Sequence, residues 1–103
     1  MIHNNYGWML ATCLDDEVRD GKAAMALARL ALEKIGTPTA VVMDTVAASH
    51  AELGEFAKAA EAQRQAMNSD DFLPKDRAGA VERLKFYEAG RPWRDPPAGP
   101  KKE

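Results

Sequence analysis

A chain of 103 residues, 46% of them hydrophobic, has room for one modest domain and enough apolar content to build its core. Its 14 basic and 16 acidic residues leave a net charge of -2, which removes the electrostatic case for nucleic acid or an anionic membrane surface. The single cysteine, Cys13, cannot crosslink its own chain and offers no zinc spacing, and no apolar run approaches the ~18 residues that cross a bilayer. Residues 1–5 lack the basic flank and apolar stretch of a signal peptide, so a cytoplasmic protein is expected, or a fragment whose targeting segment lies elsewhere.

Alanine dominates, β-branched residues are few, and apolar positions recur at three and four rather than two, which predicts helices throughout. Residues 4–14 read as a first helix, ended by the acidic turn Asp15-Asp16-Glu17. Asp20 is a good N-cap for a second helix that runs through Ala24, Leu27, Ala28 and Ala31 to Ile35, where Gly36 stops it. Thr37-Pro38 reads as N-cap and first turn of a third helix, which carries Val42, Val46, Ala47, His50 and Leu53 as far as Gly54. The fourth opens near Phe56 and continues through Ala59, Ala60, Gln63, Ala66 and Met67 to a polar break at residues 68–71. Pro74 opens a fifth helix, with Ala80, Val81, Leu84 and Tyr87 on one face and Gly90 closing it. Residues 92–103 hold four of the six prolines and read as a mostly disordered tail. Within the tail, Trp93 either folds back onto the fifth helix or anchors a partner.

An internal repeat organises these elements. Leu10-Ala11 falls over Val46-Ala47, Ala24 over Ala59 and Ala31 over Ala66, at a period of 35 to 36 residues. In each second helix the paired alanines are seven residues apart, two turns, so both face the same neighbour and let it approach closely.

This pattern resembles the tetratricopeptide repeat. In the second repeat Val46-Ala47 stands for the family's Leu-Gly pair and His50 for its usual tyrosine; Leu53-Gly54 makes the inter-helix turn, and Phe56, Ala59, Ala66 and Met67 follow the family spacing. The first repeat departs more, with a longer turn and Leu14 in place of the tyrosine. Gly7 to Cys13 followed by Arg19-Asp20-Gly21 is similar to the last repeats of some bacterial members, and Tyr87 to Pro92 to the segment that closes such arrays. The resemblance implies an all-α fold, an α-α superhelix of two helix–turn–helix repeats (about 4–36 and 38–69) plus a C-terminal capping helix (74–89), together a domain over residues 1–91.

It also implies a non-catalytic interaction module that binds a peptide or protein segment in the groove lined by the first helix of each pair. Carried across by spacing, the groove positions are Trp8, Met9 and Thr12, then Val41, Asp44, Thr45, Ala48 and Glu52. One subclass of the family grips a peptide carboxylate with lysine, arginine and asparagine; Asp44, Thr45 and Glu52 replace that set here. With Asp15 and Asp16 near the rim, the groove reads as mildly acidic, suited to a basic or apolar segment, unless these acids are only a solvated face.

The first helix supports an alternative. Ile2, Tyr6, Trp8, Met9, Leu10, Cys13 and Leu14 wrap most of its circumference, and a helix apolar nearly all round should be covered on more than one side. Either a preceding repeat covers it, in which case the chain is the C-terminal part of a longer array, or the chain is a structural unit that self-associates through Ile2, Tyr6, Trp8 and Met9. Nothing favours an enzyme, a metal or a cofactor. His50 and Asp44, six apart on one helix, point in different directions. Cys13 has no histidine at a useful spacing. Residues 15–17 lack the alternation of a calcium loop. The glycines at positions 7, 21, 36, 54 and 90 read as helix punctuation. Gly79, inside a helix, reads as a site of close packing on the preceding pair.

Overall fold

The computed structural model describes residues 2–94, with side chains from Asn4 onward. Five helices follow one another, α1 (Ile2–Thr12), α2 (Gly21–Ile35), α3 (Ala40–Glu52), α4 (Phe56–Met67) and α5 (Arg77–Glu88), and a 3₁₀ turn over Pro74–Asp76 leads into the last. The described residues contain no strand.

The boundaries follow from local hydrogen bonding, and several differ from expectation. Asp20 caps α2, its carboxylate accepting from the Ala23 N–H, and Gly36 ends it in the left-handed region at φ 88° with its N–H donated to Leu32. Helix α1 stops two residues short of Leu14. The Arg19 guanidinium donates to the carbonyls of Cys13 at 2.7 Å and Leu14 at 3.2 Å, and the Asp20 N–H donates to Leu10, so the chain is turned out of the helix there. Helix α3 is capped by Thr39, which accepts from the Val42 N–H, and not by Thr37 with Pro38. The N–H of its first residue, Ala40, which has no partner within the helix, is taken by the Asp71 carboxylate from the far end of the second pair. Pro74 opens the 3₁₀ turn and not α5 itself.

Helix α2 runs antiparallel to both α1 and α3. Its first residue, Gly21, is packed so closely on the end of α3 that a Cβ there would lie 3.1 Å from Glu52 and Leu53 side-chain atoms. A short turn through Gly54 (φ 81°) reverses the chain into α4. The start of α4 lies beside the end of α5, where Phe56 and Ala60 share a cleft with Tyr87 and Gly90.

The core is an alanine seam between these helices. Ala28 and Ala31 of α2, Ala47 and Ala51 of α3, and Ala59, Ala62 and Ala66 of α4 are all at most 5% exposed, with Val42, Met43, Val46 and Tyr87 filling the larger spaces. Small side chains permit the short interaxial distances that buried helix pairs need. A second cluster of Leu10, Ala11, Ala24 and Ala48 joins α1 to it, with Trp8 and Leu27 packed alongside. Gly7 is part of this contact and not punctuation: a Cβ there would meet the Ala24 carbonyl and Leu27 Cβ at 3.3 Å. Gly79 is the converse. It is exposed, and a Cβ would meet only the tip of the Arg83 side chain, so close packing on the preceding pair does not explain it.

Candidate functional site

Helices α1, α3 and α5 together frame an open cleft of about 410 Å³. Asn4, Asn5 and Trp8 line it from α1, Val41, Asp44 and Thr45 from α3, and Arg83 from α5. The spacing explains the convergence: positions 4, 5 and 8 share one face of α1, and 41, 44 and 45 share one face of α3.

Arg83 is the hub. Its Nη2 donates to Asp44 Oδ2 at 3.3 Å, and its guanidinium lies 5.6 Å from the Trp8 ring centroid and 6.0 Å from that of Trp93. Both partners of the ion pair are largely buried, with 15% and 19% of their side chains exposed. Burial pushes the Asp44 carboxyl above its ordinary value, and Arg83 and Gln63 pull it the other way. Asn4 is the second notable group. It is 2% exposed, yet its side-chain oxygen has no hydrogen-bond partner among the described residues. Such a buried acceptor is costly until something donates to it, by about 1–3 kcal/mol.

Of the groove positions expected from sequence, Trp8, Val41, Asp44 and Thr45 come together in this cleft. Thr12 and Ala48 do not present a surface at all. They are 1% and 2% exposed, Thr12 donating its hydroxyl to the Trp8 carbonyl and Ala48 packing against Leu10, Ala11 and Ala24. Met9 is 41% exposed and does not line the cleft, since one residue on from Trp8 the helix has turned by about 100°. Glu52 lies two turns beyond Thr45 on the same stripe of α3 and is already engaged. Arg19 Nε is 3.2 Å from one of its oxygens and Arg94 Nη1 3.0 Å from the other.

The carboxylates expected to make the groove acidic are mostly paired with arginines, Asp15 excepted, which accepts from the Glu17 N–H. Asp44 faces Arg83, Glu52 faces two arginines, and Asp16 pairs with Arg19. The residues missed were Asn4, Asn5 and Arg83. The signal for Arg83 was a charged residue three positions after Ala80 and four before Tyr87, the two buried residues of α5.

Of the self-association residues, Tyr6 (52% exposed) and Met9 sit three apart on one face of α1, whereas Trp8 is half-buried in the cleft. The Ile2 side chain lies outside the described residues, as do residues 95–103 of the expected tail. Trp93 packs edge-on against Phe86, with ring centroids 4.9 Å apart and planes at 75°. His50 is half-buried at the end of α3, its Nδ1 2.7 Å from Glu55 Oε1.

Among the described residues no helix is long and apolar enough to cross a membrane. The chain matches no protein-family model, no curated protein and no solved structure.

Proposed function

We propose that this chain is a tetratricopeptide-type helical repeat acting as a non-catalytic protein-interaction module, with the cleft between α1, α3 and α5 as its binding surface. The carrying observation is the buried, unpartnered Asn4 oxygen in an open cleft between Trp8 and the Arg83–Asp44 pair. A peptide backbone supplies the N–H donor that Asn4 lacks, and the Trp8 ring supplies an apolar surface for a side chain beside it. The antiparallel pairing of α1 with α2 and of α3 with α4, at a 35 to 36 residue period, supports the repeat reading.

Selection from a displayed random-peptide library tests it. Enriched peptides should lose binding to the Asn5→Trp variant, which blocks the cleft from an exposed position, and should weaken against Asn4→Leu. No enrichment, or binding indifferent to both changes, would remove the proposal.

A second reading is favoured by Tyr6 and Met9, which leave an exposed apolar strip along α1. In that reading the chain is a structural unit that associates with another copy of itself through α1. Sedimentation of the chain and of a Tyr6→Lys/Met9→Lys variant decides it: a concentration-dependent dimer abolished by the double change supports it, and a monomer at all concentrations dismisses it.

A further inference from the structure

The inner face of the protein does not end at the open cleft. Val41, Thr45 and Glu52 recur at helical spacing along α3, with the sealed Ala48 between the last two, so Glu52 continues the stripe that Val41 and Thr45 begin. Over that continuation lies the chain's own segment after α5. The Arg91 N–H still bonds the Phe86 carbonyl at 2.8 Å, and then Pro92, which has no N–H, takes the chain out of the turn. Trp93 follows, set against Phe86 and beside Arg83, and Arg94 reaches across to Glu52.

We propose that residues 92–94 are an internal stand-in for a ligand, and that the covered half of the groove is a site for an aromatic residue followed directly by an arginine. The proposal rests on the groove reading above. Three features support it. The segment is held by side chains alone, because among the described residues Pro92, Trp93 and Arg94 make no hydrogen bond to the backbone of any other element. The ionic balance suits one incoming cation: Arg19 is shared between Asp16 and Glu52, leaving one carboxylate charge that Arg94 neutralises. Departure of Arg94 leaves Arg19 on the less exposed Glu52, and the unbalanced charge falls to Asp16, whose side chain is 85% exposed to solvent. Arg83 joins the two halves, with Trp8 of the open cleft near one side and Trp93 near the other. A partner segment carrying the aromatic–arginine pair exchanges with Trp93 and Arg94, and its flanking backbone extends into the open cleft toward Asn4.

The test uses the full chain and a fluorescent peptide of sequence Arg-Pro-Trp-Arg-Asp. The Arg94→Glu variant, whose new carboxylate is repelled by Glu52, should bind this peptide at least tenfold more tightly than the parent chain. Adding Glu52→Gln to that variant should weaken binding about tenfold, and a peptide with Ala for Trp should not bind. Arg94→Gln, which removes the charge without repulsion, serves as the second variant, and circular dichroism establishes that each is folded. Equal peptide binding by the parent and both folded variants, or none by any of them, overturns the proposal. Library-selected peptides separate the two ideas. If they bind parent and Arg94→Glu chains alike through Asn5, the cleft stands without its stand-in; if none binds any chain, the groove reading itself falls.

Discussion

Arg83 and Asp44, 39 residues apart in sequence, make an ion pair that ties α5 to α3 across the cleft. With both side chains mostly buried, removal of either partner strands the other charge. Arg83→Met should therefore destabilise the fold by about 2–3 kcal/mol, whereas the double change Arg83→Met/Asp44→Leu should cost less than the sum of the singles. Urea unfolding of the full double-mutant cycle measures this, and additive losses would show that the pair is not coupled.

The two internal glycines should respond in opposite directions to alanine. At Gly7 the new methyl presses on the Ala24 carbonyl and Leu27, so the helix-propensity gain is outweighed and Gly7→Ala should cost about 1 kcal/mol or more. At exposed Gly79 it meets only the Arg83 Nη1 at 3.3 Å, not the nitrogen that holds Asp44, and Gly79→Ala should stabilise by about 0.5–1 kcal/mol. Thermal melts of both variants check the contrast; a shared sign contradicts it.

Two aspartates should bend the acid response in opposite senses. Burial raises Asp44 above 3.8, so the folded chain holds that proton to a higher pH than the unfolded chain. Its contribution to stability falls as pH rises from 3.8 through the raised value. Asp71 is held below 3.8 by the Ser69 hydroxyl first and the Ala40 N–H second. Its contribution is present above 3.8 and is lost as pH falls through the lowered value. Asp44→Asn should thus steepen the loss of stability on acidification and Asp71→Asn should flatten it. Urea midpoints taken from about pH 3 to pH 6 across that carboxylate window report both slopes.

Tyr87 is 1% exposed, and its hydroxyl has no partner among the described residues; burial accordingly pushes the phenol well above its ordinary value. Tyr87→Phe keeps the ring that fills the core and removes the stranded polar atom. It should stabilise by about 1 kcal/mol, read from the urea midpoint. A loss of similar size would mean that the hydroxyl is bonded.

Where a helix is bounded by its own neighbours, the sequence was sufficient to read it. Asp20 and Gly36 frame α2 because both act within one turn, and Gly54 and Gly90 take the positive φ expected of residues that close helices. The reading failed where the deciding partner is remote. Thr37-Pro38 is a reasonable helix start, but Asp71, 31 residues on, holds the Ala40 N–H and places the start there instead. Leu14 looked like a continuation of α1, but Arg19 removes its carbonyl from helical bonding. The cleft was half legible for the same reason. The α1 and α3 positions follow from periodicity, while Arg83 joins them only through the tertiary placement of α5, which local pattern does not encode. Thr12 and Ala48 have the correct spacing for a groove and are nonetheless sealed, because small residues on that stripe let α1 close onto α3.

The uneven burial of the helices sets a kinetic order. Nine residues of α3 are buried, five each of α2 and α4, and two of α5, so α5 is the most lightly buried of these helices. Yet α5 carries Arg83 and, just past its end, Trp93. Each transient release of α5 therefore removes one wall of the cleft and, in the same event, the Trp93 contact beside Arg83. Amide hydrogens of α5 should exchange before those of α3, and any bound segment that bridges Arg83 and Asp44 should slow the former far more than the latter. On the proposed binding reading, the helix with the shallowest footing is the one whose lifetime governs how long a guest stays.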